Sequence, residues 1–415
     1  MVRDMMRPKV LGMILAGGKG TRLYPLTLHR AKPAVPFGGK YRIIDFVLSN
    51  FINSGLYSIY VLTQFKSQSL TEHLQEGWQL GSLFRDHFII PVPAQMRMGE
   101  RWYRGTADAI YQNLNLIHNH EPDIVAVFGA DHIYCMDIGQ MLSYHLEKQA
   151  EITVAVLPVP RAEASSFGVV QVDQNWRIVD FWEKPADPPP IPGHPDQALI
   201  SMGNYLFDTL PLIEEVTEDA DRETEHDFGR TILPEVCKYR RVFAYDFRRN
   251  TIPGTAKGTR NDYWRDVGTI EAFWEANMEL KGANPPLNLY NPRWPIRTVS
   301  RSGPPAKFIS DPARPRGGII NALVSEGCII EGALVQDSIL GRNVVIHRGA
   351  EVRDSFLMDN VEVGEGVRIR KAIIDKRVRI APGDEIGYDR EQDQKRYHVS
   401  ETGIVVIPRA EGLSL

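Results

Sequence analysis

Between positions 328 and 386 aliphatic side chains return at a short fixed interval. Cys328, Leu334, Leu340, Ile346, Val352 and Met358 stand six residues apart, with small or polar residues between them. After a break Val363 and Ile369 keep the step, and Ile374, Ile380 and Ile386 resume it in a shifted phase. One inward aliphatic residue per hexad is the pattern of a parallel β-helix, whereas a β-sandwich would show alternation and hairpin turns. Residues 319–415 are therefore expected to form a left-handed parallel β-helix. The ends of such a coil expose backbone, so cover by the domain junction or by another subunit is expected.

At 415 residues the chain exceeds one ordinary core, and two domains are the starting expectation. The first part alternates apolar runs with longer amphipathic stretches, the pattern of an α/β sheet with helices on its faces. Residues 59–63, 124–128 and 152–156 read as buried strands, and 106–119 and 138–149 as helices. The proline-rich run 185–195 cannot be helical. Residues 284–318, rich in proline, glycine and arginine and without a period, read as a linker between a first domain at 1–283 and the β-helix at 319–415.

A formal net charge of −4 gives no support for a nucleic-acid binder, so any anion site must come from local clusters. The three cysteines, Cys135, Cys237 and Cys328, lack metal-ligand spacing and read as reduced thiols. The first nine residues carry both charges and no apolar core, and no stretch has the length of a membrane span. The expectation is a cytoplasmic protein with neither nucleic acid nor membrane as partner.

The apolar run 10–15 opens into Ala16-Gly17-Gly18-Lys19-Gly20-Thr21-Arg22-Leu23. Gly17, Gly18 and Gly20 would let backbone N–H groups close on an anion, and Lys19 and Arg22 add positive charge. The spacing matches neither the Walker loop nor the dinucleotide fingerprint. Two more cationic clusters follow, in Arg30-Ala31-Lys32-Pro33-Ala34-Val35-Pro36 and in Gly38-Gly39-Lys40-Tyr41-Arg42, and the stretch continues through Ile43-Ile44-Asp45-Phe46-Val47-Leu48-Ser49-Asn50. Further along stand Trp102-Tyr103-Arg104-Gly105-Thr106-Ala107-Asp108, Gly129-Ala130-Asp131-His132, Phe181-Trp182-Glu183-Lys184-Pro185 and Tyr263-Trp264-Arg265-Asp266.

Together these runs resemble the sugar-nucleotide pyrophosphorylases and, in their extended form, the ADP-glucose pyrophosphorylases, over nearly the whole chain. The resemblance implies a Rossmann-like nucleotidyltransferase domain ahead of the β-helix, with ATP and glucose 1-phosphate as substrates. It implies Mg²⁺ held between Asp131 and Asp266. Nucleotide would lie on Gly17, Gly18, Lys19, Gly20 and Thr21, with Gln64 and Gln95 offered to the base. Tyr103, Gly168, Glu183, Lys184 and Ser201 would form the glucose 1-phosphate pocket. The sugar phosphate is already mostly a dianion at neutral pH, so no general base is needed. The protein must supply positive charge and in-line positioning, and Arg22, Lys32 and Asp131 are the candidates for the chemistry.

The same resemblance implies a homotetramer under allosteric control, with a sugar-phosphate activator and a nucleotide or phosphate inhibitor bound where the domains meet. His29, Arg30, Arg42 and Lys376 are the matching positions. His29 stands where many relatives carry a lysine, and a histidine makes a weaker, pH-dependent phosphate ligand. Fructose 1,6-bisphosphate is therefore expected to activate weakly or to give way to another metabolite. Three other readings are a pyrophosphorylase for a different base or sugar, a non-catalytic regulatory subunit, and an acyltransferase built on the hexads, where His347 is the sole histidine of the clear repeat.

Overall fold

A computed structural model describes residues 8–81, 86–95, 99, 101–256, 258–259, 261–311 and 317–409. Its first domain is built on strand Val10–Ala16, whose side chains are buried on both faces of a nine-stranded sheet. Leu11 and Met13 enter one core cluster, and Val10, Ile14 and Ala16 the other, as a two-residue period requires. Helices Ile43–Asn53, Gln68–Gly77 and Ile138–Glu147 cover one face. Thr106–Tyr111, Leu114–His120, Thr209–Ala220 and Leu233–Val236 cover the other.

Val10–Ala16 pairs in parallel with Ser58–Thr63 on one side and with Ile124–Gly129 on the other. The three loops leaving the carboxyl ends of these strands consequently lie side by side, the position where open α/β sheets place their ligands. Beyond Ile124–Gly129 runs Gln197–Asp208, antiparallel to it, and the pairing of Gln197–Asp208 with Ile152–Pro160 shifts register between Ser201 and Tyr205. Gly203, at φ +71°, sits in this irregularity.

Two sequence expectations change. Residues 106–119 are two helices, broken at Gln112 and Asn113, because the Asn113 amide donates to Ala109 O and Tyr103 Oη and leaves helical geometry. The β-helix also begins inside the span read as linker: Lys307–Ile309 pairs in parallel with Ile329–Glu331 as its first strand. Within that span Leu287, Trp294, Ile296 and Val299 are buried against the folded domains.

Three sheets of parallel stacked coils form the β-helix; the coils are offset by 16 residues at first, as in Ile329 opposite Val345, and then by 17, as in Leu334 opposite Glu351 and Glu351 opposite Arg368. Ile346, Val363 and Ile380 stack on one side, Val335, Val352, Ile369 and Ile386 on the second, and Leu340, Leu357 and Ile374 on the third. A coil of 17 residues has sides of six, six and five, which explains the phase shift of the hexads. It also moves the inward residue from Leu334 to Val335 and from Met358 to Leu357. Met358 is still buried, but it faces the first domain. There one cluster joins the two domains, with Phe37 on Phe273 and Phe273 on Phe356 at ring distances of 6.1 Å. No helix among the described residues is long and apolar enough to cross a membrane.

Candidate active site

A cleft of about 630 Å³ opens at the carboxyl ends of the central strands. Its floor begins with the glycine loop. Gly20 holds φ +61°, and a Cβ there would stand 3.1 Å from Lys32 Cβ, so the loop rests on the lysine stem. Gly18 faces open space, while Lys19, Thr21 and Arg22 are exposed on the cleft wall.

Asp131 follows strand Ile124–Gly129, whose Gly129 lies opposite Leu15. Asp266 arrives from far along the chain by a short antiparallel ladder that sets Asp266 opposite His132 and Trp264 opposite Tyr134. Lys32 Nζ stands 2.9 Å from Asp131 Oδ2 and 2.9 Å from Asp266 Oδ1, with its side chain only 7% exposed. Arg22 reaches Asp266 Oδ2 at 3.6 Å. Gly268 makes this crowding possible, since a Cβ would fall 2.9 Å from both the Arg22 guanidinium and Asp266 Oδ1. Burial pulls the Lys32 ammonium down, but Asp131 and Asp266 outweigh it and hold it above its ordinary value. Burial pushes the Asp131 carboxyl up, yet Lys32 and His132 keep it well below the usual carboxylate range.

Asp131, His132 and Asp266 offer ligand atoms within 4.8 Å of one another, a group able to hold a cation. Two carboxylates are hard oxygen donors of the kind that bind Mg²⁺ together with substrate phosphates.

At the other end of the cleft Glu183 closes strand Ile178–Glu183, and Lys184 Nζ lies 3.1 Å from its carboxylate. Two glycines make room for that acid. A Cβ on Gly168 would meet Phe181 Cζ at 2.7 Å and Glu183 Oε2 at 3.0 Å, and one on Gly229 would meet Glu183 Oε2 at 2.8 Å. Gly168 is thus required by its neighbours on the strand. Ser201 lines the cleft at the strand irregularity, where its Oγ accepts from Gly203 N.

The base candidates fare differently. Gln64 lines the cleft, but its Oε1 accepts from Tyr103 N at 3.0 Å, so its amide fixes the Trp102–Asp108 segment. Gln95 does not line the cleft; it is exposed, and its Nε2 donates to Pro93 O. Tyr103 is at the wall, its hydroxyl accepting from Asn113. Gly105 packs against the 225–226 backbone, where a Cβ would lie 2.2 Å from His226 O.

Sequence reasoning missed His132, Phe167, Trp264 and Asp227 in the wall. Trp264 rests between His132 and Phe167 at ring distances of 4.7 and 5.5 Å. Strand periodicity was its available signal, since 264 and 266 share a face. Trp264 Nε1 and His132 Nδ1 are buried without a protein partner, as expected of donors and acceptors that await a ligand. Asp227 caps a helical turn through Gly229 N and Arg230 N and accepts from Thr106 Oγ1, and no local pattern announces it.

Where the domains meet, a smaller hollow gathers Lys40, Arg42, Arg301, Arg342 and Lys376 around Asp359. Of the expected regulatory positions, Arg42 and Lys376 belong to it. Arg30 does not line it. Its side chain is only 7% exposed, and its guanidinium forms two 2.8 Å hydrogen bonds to Asp375. His29 is exposed and also outside the lining.

A glycine loop, a lysine-bridged acid pair and a Glu-Lys strand end around one cleft, ahead of a hexapeptide coil, define a nucleotidyl transferase with a β-helix appended. The nucleotidyl transferase family matches residues 11–282, and the GlmU-like C-terminal hexapeptide family matches residues 304–407. The glucose-1-phosphate adenylyltransferase of Thermus thermophilus is 56% identical over 412 residues, 98% of this chain and 99% of that one. Those of Deinococcus radiodurans and Vibrio parahaemolyticus are each 52% identical, over 97% and 96% of this chain. The chain belongs to the glucose-1-phosphate adenylyltransferase family, whose wider nucleotidyl transferase class generally uses a divalent metal.

Proposed function

We propose that this protein transfers the adenylyl group of ATP to α-D-glucose 1-phosphate, giving ADP-glucose and pyrophosphate for glycogen or another α-glucan. One observation carries the reading: the cationic loop and the Lys32-bridged acids share a single cleft with Glu183 and Lys184, so a nucleotide and a sugar phosphate have adjoining seats. Lys184 meets the sugar's phosphate, and Glu183 accepts from the sugar hydroxyls. The phosphate dianion attacks the α-phosphorus of ATP, and the bond to pyrophosphate breaks; no proton has to move. Arg22, 66% exposed, is free to follow charge onto the departing pyrophosphate, and Lys32 neutralises the phosphate chain. Asp131 and Asp266 would hold Mg²⁺, which supplies charge neutralisation between the two anions when bound.

The glycine loop, Gly17 to Thr21, takes the triphosphate. The base lies toward Gln64 and Tyr103. The hollow of Arg42 and Lys376 takes the phosphate of a sugar-phosphate activator or of a nucleotide or phosphate inhibitor, in a cytoplasmic homotetramer. The test is pyrophosphate release from ATP, UTP, GTP and dTTP with glucose 1-phosphate and Mg²⁺. Selective turnover of ATP supports the reading, and preference for another nucleotide or silence with all four overturns it.

A further inference from the structure

We propose that Lys32 is the internal counter-ion of the acid pair, excluding a bare divalent cation and yielding its place only to one that arrives with a polyphosphate. The proposal rests on the nucleotidyl-transfer reading above. Lys32 Nζ lies 2.9 Å from each carboxylate, at the point from which one cation can touch Asp131 and Asp266 together. Any metal held by both acids competes with this ammonium for the same oxygens.

The lysine is also held in position. Its backbone is set in the turn Lys32–Ala34, its stem lies under Gly20, and its side chain is 7% exposed. Arg22 adds a second cation 3.6 Å from Asp266. Two carboxylates therefore face one ammonium and one guanidinium, and their charges balance. A divalent ion entering alone would stand beside two like charges within a few ångströms, a strongly unfavourable arrangement in a partly buried site. A divalent ion carried by a triphosphate brings the oxygens to which Lys32 and Arg22 can turn. Metal and nucleotide then strengthen each other's binding, and linkage makes the effect reciprocal. The contact between Gly20 and the Lys32 stem ties the phosphate loop to the same exchange.

Manganese, whose unbound form is read directly by electron paramagnetic resonance, is the probe, with the full-length chain and no sugar phosphate. Wild-type protein is expected to bind bare Mn²⁺ weakly, and Lys32→Gln at least about tenfold more tightly, on the scale of one charge removed at close range. Lys32→Arg keeps the cation and should bind as weakly as wild type. By equilibrium dialysis, Mn²⁺ should raise ATP affinity less in Lys32→Gln than in wild type. Circular dichroism checks that each variant is folded, and Lys32→Met repeats the experiment should Lys32→Gln fail. Unchanged or weaker binding of bare Mn²⁺ by the folded neutral variants overturns the proposal, as does tightening in Lys32→Arg. Absence of turnover in the wild type would overturn the parent reading and leaves these affinities to decide this one.

Discussion

Asp131 shares Lys32 with Asp266, yet the two acids differ in exposure: the Asp131 side chain is 40% exposed and that of Asp266 is 19%. Asp131 is thus the more accessible to substrate. Its replacement, Asp131→Ala, is expected to lower kcat at least about a hundredfold, as when a transition-state stabiliser is lost. Pyrophosphate release at saturating ATP and glucose 1-phosphate measures it, and near-normal turnover removes the residue from the mechanism. At this scale the sequence is legible where an acid follows a strand end, as with Asp131, whereas Glu183, in an ordinary strand-end run, is marked only by the family resemblance. It is less legible for amides. Gln64 and Gln95 look alike in sequence, but one ties Tyr103 into the wall and the other turns back on Pro93.

Among elements, the junction of the two domains gathers five cationic side chains in one hollow. Lys376 follows the buried strand Ala372–Ile374 and lies in the hollow with Arg42. Burial first, then Arg42 and Arg30, lower its ammonium from 10.5 to about 7, while Asp359 and Asp375 pull the other way. Between those values the unfolded chain holds a proton that the folded one lacks, so this group makes stability rise with pH from about 7 to about 10.5. An anion in the hollow favours the protonated form, and its affinity should fall as pH rises through 7. Sulfate, whose own charge is constant there, is expected to bind about tenfold more weakly at pH 8 than at pH 6, a dependence that Lys376→Met should flatten. Calorimetric titration at the two values checks this, and equal affinities in wild type contradict it.

The Arg30–Asp375 pair in the same junction acts as a clasp between domains. Asp375→Asn leaves a buried guanidinium without its charge partner and should cost about 3–5 kcal/mol in urea unfolding, and a loss within error would show the pair to be dispensable. The family resemblance groups Arg30 and Arg42 as regulatory candidates. Only the fold sends one into a buried ion pair and the other to the hollow.

For the whole molecule the decisive feature is the cluster shared by both domains, from Leu23 and Phe37 through Phe273 to Ile339, Phe356 and Ile373. Neither domain can release its part without exposing the other's apolar surface. Calorimetry of the full chain in substrate-free buffer is expected to show one cooperative transition, and two resolved transitions would contradict the shared core.

Some of this was in the chain order alone. Hexads from Cys328 to Ile386 specify a β-helix because its coils repeat locally, and apolar runs ahead of glycine specify strand ends because both signals are short-range. Tertiary structure decided the rest. Asp131 and Asp266, far apart in sequence, meet because one antiparallel ladder sets Asp266 opposite His132. Lys32 joins them, Arg30 leaves for Asp375, and Glu183 gains room from Gly168 and Gly229 through contacts between distant segments. Such contacts leave no period or spacing in a single sequence, since they are selected by packing after the strands have paired.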